Sequence, residues 1–197
     1  MSSVVRIRLK GRLSYPSLFV AKQDIMGEKA PVYSADILFP KTDTQQFNVI
    51  DQARREAGLI KFPTRSYESL LKEAKGNQSL VLKDGDEKVE RDPEKYQESY
   101  KGMWYISSTN THKPTLVDQQ AIRVTEDTGL FYAGCHVLAI INIYCYFYNK
   151  MKRGFSSTLA GVQFLKDDKP WQGKRIADIG EFEPIEELET VSSDDPF

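Results

Sequence analysis

The sequence predicts a mainly β fold: a small, five-stranded, partly open barrel with one or two inserted helices and a disordered acidic C-terminal tail. Three observations carry this. Several segments alternate apolar and polar residues with period two, the mark of half-buried strands. Two early segments repeat at helical spacing instead. The charge is also split. Residues 178–197 hold eight acidic and no basic side chains, while the first 177 residues hold all 27 basic and the other 20 acidic groups, a net of +7.

In residues 4–12, Val5, Ile7 and Leu9 fall on one face, and Arg6, Arg8, Lys10 and Arg12 on the other. This is a strand with a cationic outer surface, expected to break at Tyr15-Pro16. Residues 32–39 form a second strand, closed by Pro40. Residues 42–58 predict a helix, capped by Thr42 or Asp43 and ended by Gly58, with Phe47, Ile50, Ala53, Arg54 and Ala57 at helical spacing. A shorter helix follows at 67–74, stopped by Gly76, and a short strand at 80–83. Residues 84–98 are charged and contain Pro93, so they read as a loop. Residues 102–108 return to strand, and 112–114 turn the chain.

A short segment at 129–133 leads into residues 137–148, the strongest strand signal in the chain. A basic hairpin turn at 149–154 follows, and residues 155–165 return as a strand. No βαβ repeat with glycine-rich turns is present, which argues against a doubly wound sheet. The strand count and order fit an OB-like barrel. The boundaries are therefore a folded domain at 1–177 and a tail at 178–197.

Composition narrows the function. The 197 residues suit one domain with appendages, and 40 % hydrophobic residues supply a core. No apolar run approaches the roughly 18 residues of a membrane span, and the N-terminus lacks a signal-peptide layout, so a soluble intracellular protein with no membrane role is expected. Cys135, Cys145, His112 and His136 lack the paired spacings of a zinc site, so no metal is expected and the thiols read as reduced core residues. Without a Walker loop, a dinucleotide turn or a metal-spaced cluster, no catalytic residue and no cofactor is predicted, and the chain reads as a non-enzyme. Asp84, Asp86 and Glu87 read as solvated loop residues, not as a metal-dependent nuclease centre.

The most informative stretch is residues 137–148. Val137, Ala139, Ile141, Ile143, Cys145 and Phe147 make one apolar face. Tyr144, Tyr146 and Tyr148 stand in a row on the other. Same-face residues lie about 6.5–7 Å apart along a strand, a spacing that suits unstacked bases. The same row could instead pack under a helix or a dimer partner. Lys150, Lys152 and Arg153 follow at once, and Arg6, Arg8 and Lys10 are candidates for the neighbouring strand. Cations for phosphates beside rings for bases are what a single strand requires, although basic hairpin tips and strand edges are also often merely solvated. In Trp104-Tyr105, one ring must face the barrel and the other outward, and Tyr105 is the better contact candidate because Trp favours the core. The tail ends in Asp194, Asp195, Pro196 and Phe197, where an aromatic ring, a free carboxylate and two acids suit capture by a basic, apolar pocket.

The Asp194-Asp195-Pro196-Phe197 tip resembles the acidic, Phe-terminated tip of bacterial and phage single-stranded DNA-binding proteins. Residues 154–165 (GFSSTLAGVQFL), followed by Asp167, Asp168 and Lys169, are similar to a segment of the tailed-phage members, as are residues 33–41 (YSADILFPK) and 100–106 (YKGMWYI). The resemblance implies an OB fold, sequence-non-specific coating and protection of single-stranded DNA in replication and recombination, and a tail that contacts replication proteins such as a DNA polymerase or a helicase-primase and competes with DNA for the groove. It places the protein in the cytoplasm of a bacterial host. The tail departs from the family pattern in being short, with its acids spread out. RNA binding through the same surface, and an oligomeric adaptor with no nucleic-acid role, stand as alternatives, and a homodimer is compatible with the sequence.

Overall fold

The computed structural model describes residues 4–23, 27–148 and 152–171. Strands β1 (Val4–Lys22) and β2 (Val32–Pro40) precede helices α1 (Thr44–Lys61) and α2 (Tyr67–Gly76). After the short strand β3 (Leu82–Asp84) come α3 (Gly85–Arg91), α4 (Pro93–Tyr100), β4 (Met103–Asn110) and β5 (Thr115–Val117). A 3₁₀ turn at Glu126–Thr128 leads to the long pair β6 (His136–Tyr148) and β7 (Lys152–Lys166).

The strand order is β3-β4-β2-β1-β6-β7-β5, with an added parallel pairing of β4 to β7. That pairing closes a five-stranded barrel of β1, β2, β4, β7 and β6, the order of an OB fold. The closing seam is narrow. Thr109 pairs with Thr158, and beside it the Ser108 and Ser157 hydroxyls lie 2.7 Å apart. The Asn110 amide donates to the Leu159 carbonyl at 2.8 Å.

The core follows the alternation. On β6, Val137, Ala139, Ile141 and Ile143 are fully buried and point inward. Leu9, Leu13, Ile37, Phe39, Ile106 and Leu159 meet them from the other strands. Helices α1 and α2 pack on this same core through Ile50, Ala53, Ala57, Leu70 and Ala74. Asp43 caps α1, its carboxylate accepting from the Gln46 amide.

β1 is far longer than its first nine residues. It pairs with β6 from Val4 to Arg12 and with β2 from Arg12 to Lys22, so one strand serves both halves of the barrel. Gly11 stands at the crossing. A Cβ there would lie 2.4 Å from the Leu38 carbonyl oxygen, which no side chain tolerates. The expected break at Tyr15-Pro16 is instead a bulge between Ser14 and Ser17. Tyr15 takes φ 46° there, and the bulge accommodates a proline without a ladder hydrogen bond.

The segment 84–98 is also corrected. It forms two capped helices, not a loop. Asp84 caps α3 by accepting from the Asp86 amide, and Asp92 caps α4 by accepting from the Lys95 amide. Pro93 occupies the first turn of α4, where its missing N–H costs nothing. This helical pair covers the outer face of β2 and β4 with a second cluster of Leu38, Tyr100, Tyr105 and Trp171. Asp36 is buried beneath it. It accepts from Tyr100 Oη at 2.6 Å, Ser107 Oγ at 2.5 Å and Lys88 Nζ at 2.9 Å, so the buried carboxylate is fully partnered.

Candidate nucleic-acid interface

The outer face of β1, β6 and β7 is the surface that the sequence pattern singled out. The register sets Arg6 opposite Asn142, Arg8 opposite Ile140 and Lys10 opposite Leu138. On the other side of β6, Asn142 faces Thr158, Tyr144 faces Ser156 and Tyr148 faces Lys152. Arg6 Nε donates to Asn142 Oδ1 at 2.9 Å, tying the cationic strand to the tyrosine strand. Arg6, Arg8, Lys10 and Lys152 are exposed, and no ion pair among the described residues engages them. None of the three strands contains an Asp or a Glu.

The tyrosines form a graded row. Tyr144 and Tyr146 are half-buried, and Tyr148 is 62 % exposed. Tyr146 is held at its phenolic end. Its hydroxyl donates to Ser79 Oγ at 2.7 Å, and a Cβ on Gly154 would lie 2.8 Å from its phenolic oxygen. Gly154 therefore clears the space in which the Tyr146 ring lies. Beyond Tyr144, Ile140 and Leu138 continue the row as half-buried apolar side chains.

Three expected contacts are not on this face. Arg153 turns to the other side of β7, where its Nη1 meets Glu73 Oε2 at 2.9 Å and its guanidinium lies 4.4 Å over the Phe147 ring. It docks α2 against the barrel and is not free for a phosphate. Tyr105 is only 3 % exposed, because α3 and α4 cover the outer face of β4. Burial, and then the Asp36 charge, push its hydroxyl up to about 12. Trp104 points the opposite way, half-buried against Phe47 at 5.8 Å and under the Lys41 ammonium at 4.9 Å. Strand alternation sends one of this pair to the barrel and the other outward, and α3 and α4 cover the outward side. Lys150, Asp194, Asp195, Pro196 and Phe197 lie outside the described residues, as does the boundary at 177–178.

Asn142, Ser156 and Thr158 complete the polar floor of the face and were not anticipated. Asn142 was legible as the polar interruption among the even positions of β6. Ser156 and Thr158 needed the β6–β7 register. Cys135 and Cys145 are buried, and burial pushes both thiols up to about 11, so they are unreactive core groups at neutral pH.

The family model of the Enterobacter phage Enc34 ssDNA-binding protein matches residues 5–195. The chain belongs to that family. The putative protein p50 of Acyrthosiphon pisum secondary endosymbiont phage 1 is 30 % identical over 194 residues, covering 96 % of this chain and 100 % of the relative. Among solved structures, the single-stranded DNA-binding protein from bacteriophage Enc34 in complex with ssDNA superposes with a TM-score of 0.63 at 23 % identity, covering 86 % of this chain and 90 % of that one. The single-stranded DNA-binding protein gp2.5 of bacteriophage T7 gives a TM-score of 0.50 at 14 % identity, over 90 % of this chain and 98 % of that one. At these identities the two structures speak to a shared fold.

Proposed function

We propose that this member of the Enc34 family binds single-stranded DNA without sequence preference, on the outer face of β1, β6 and β7. The observation that carries the reading is the pairing of an exposed row of cations with a row of aromatic rings, on three strands that hold no carboxylate. Arg6, Arg8, Lys10 and Lys152 neutralise phosphates, and Lys150 is a further candidate from the sequence. Tyr144, Tyr146 and Tyr148 offer π-faces to bases, each stack contributing about 1–3 kcal/mol. Because every base has such a face and no group here reads a base edge in a fixed geometry, binding tolerates any sequence.

The 13 residues of β6 span about 40 Å at about 3.3 Å per residue. At about 6.5–7 Å per unstacked base, the track holds about six nucleotides, within the range of one OB fold. The chain then coats and protects exposed strands during replication and recombination in a bacterial host, without catalysing a reaction. The acidic segment 178–197, through Asp194, Asp195, Pro196 and Phe197, docks replication proteins such as a polymerase or a helicase-primase.

The test is fluorescence anisotropy with labelled oligo-dT, its duplex and matched RNA over a salt series. Steep salt dependence and a strong preference for the single strand over the duplex are expected, because paired bases hide their faces. Replacing Tyr144, Tyr146 and Tyr148 together with Ala should cost at least tenfold in affinity for oligo-dT. Undiminished binding by that variant would place the strand elsewhere.

A further inference from the structure

The cationic row does not stop at a flat surface. Past Lys10 the outer face drops into a recess of about 230 Å³, lined by Lys10, Leu38, Phe39, Pro40, Met103 and His136 among others. It exists because β1 changes partners there, leaving β6 for β2 at Arg12. Gly11 lets β1 lie close against Leu38 at this crossing, where a Cβ would sit 2.4 Å from the Leu38 carbonyl oxygen.

The walls are set before any ligand arrives. Gln46 Oε1 accepts the Lys10 amide at 2.7 Å, and Gln46 Nε2 donates to Asp43 Oδ2 at 2.8 Å, so its amide group is already partnered. His136 Nε2 lies 2.7 Å from Asp168 Oδ2. What remains open is mainly apolar wall, with the exposed Lys10 side chain at its lip. A drug-sized ligand needs roughly 300–1,000 Å³, so this smaller space suits one planar ring system.

We infer that this recess seats one unpaired nucleobase at the end of the bound strand, with Lys10 holding the adjacent phosphate. The inference rests on the interface proposed above and extends it. The recess continues the line of Arg6, Arg8 and Lys10, at the end of the row opposite Tyr148, and its apolar walls meet a base while its cation meets a phosphate. A strand running from Tyr148 toward His136 therefore has one end stacked in the open and the other inserted in a pocket. Such a track has a polarity that a uniform stacking platform lacks.

The experiment uses the full-length protein and oligo-dT of eight nucleotides carrying one abasic site, walked through every position. A penalty of about tenfold is expected at one terminal position, on the 5′ side or the 3′ side but not both. 2-Aminopurine at that same position should change its emission on binding. Met103→Trp, which fills the recess, should abolish the terminal penalty, while the Tyr144, Tyr146 and Tyr148 triple Ala variant should keep it. Equal penalties at both ends, or none at either, overturn the pocket while leaving the tyrosine interface standing. If Met103→Trp misfolds, the abasic walk and the 2-aminopurine signal on the unmodified protein decide the matter alone. Failure of the unmodified protein to bind any oligo-dT overturns the interface and the pocket together.

Discussion

The guanidinium of Arg12 lies 4.1 Å from the centre of the Trp171 ring. Arg12 also donates from Nε to the Gly134 carbonyl at 2.8 Å and from Nη2 to the Lys169 carbonyl at 2.7 Å, with Asp168 at 3.5 Å. By sequence it is the fourth cation of the stripe that begins at Arg6. By structure it clasps residues 168–171 onto the barrel, next to the recess at Lys10.

The stripe should accordingly split in two under mutation. Arg8→Ala and Lys10→Ala should each flatten the salt dependence of oligo-dT binding by about 0.7 in the log–log slope, one released counterion on a single strand. Arg12→Ala should leave that slope unchanged and lower folding stability by about 2 kcal/mol, through a lost cation–π contact and two charge-assisted hydrogen bonds. Urea unfolding and salt titrations of the same variants separate the two effects. A reduced slope in Arg12→Ala would return Arg12 to the phosphate track.

Tyr105 and Tyr148 should separate just as clearly. Tyr105→Ala removes a ring packed edge-on to Tyr100 at 5.1 Å and should destabilise the fold by about 3–5 kcal/mol, while the folded fraction binds DNA normally. Tyr148→Ala should change stability by less than about 0.5 kcal/mol and weaken binding several-fold. Thermal unfolding and anisotropy on the two variants provide the comparison.

Acid should loosen the attachment of α2. The hydrogen bond from Arg153 holds the Glu73 carboxyl below its ordinary value of 4.5, with Arg65 adding to it. A carboxyl depressed in the folded state binds protons more readily when unfolded, so its contribution is present above pH 4.5 and is lost as pH falls through the lower folded value. Glu73→Gln should reduce the pH dependence of stability in that window. Chemical denaturation of both proteins at pH 7 and at successive steps below 4.5 measures it. An unchanged profile would mean that the contact contributes nothing in solution.

Removing residues 178–197 takes away eight carboxylates and no cation. The shortened protein should bind oligo-dT as well as or better than the full chain, since less negative charge opposes the strand, and should lose co-purification with replication proteins. A shortened chain that binds DNA less well would contradict the division into a DNA-binding body and a partner-binding tail.

Much of the barrel was legible because period-two alternation on a half-buried strand is a direct record of its two faces. The buried row from Val137 to Cys145 and the opposite tyrosine row came from that period alone. So did the cationic face of β1, since no tertiary contact is needed to put Arg6, Arg8 and Lys10 on one side. Residues 84–98 were misread because Pro93 signals both a break and a helix start, and the capping by Asp92 that decides between them is a local hydrogen bond that composition does not reveal.

Sequence by itself therefore determined which residues share a face of each strand, because side-chain direction follows from backbone geometry and spacing. Only the tertiary structure decided which faces stay open. Burial of Tyr105 depends on a helical pair folding over β4, the turn of Arg153 toward Glu73 depends on where α2 packs, and the recess beside Lys10 depends on β1 exchanging β6 for β2. Each is set by contacts between segments distant in the chain, whose free energy no local pattern records.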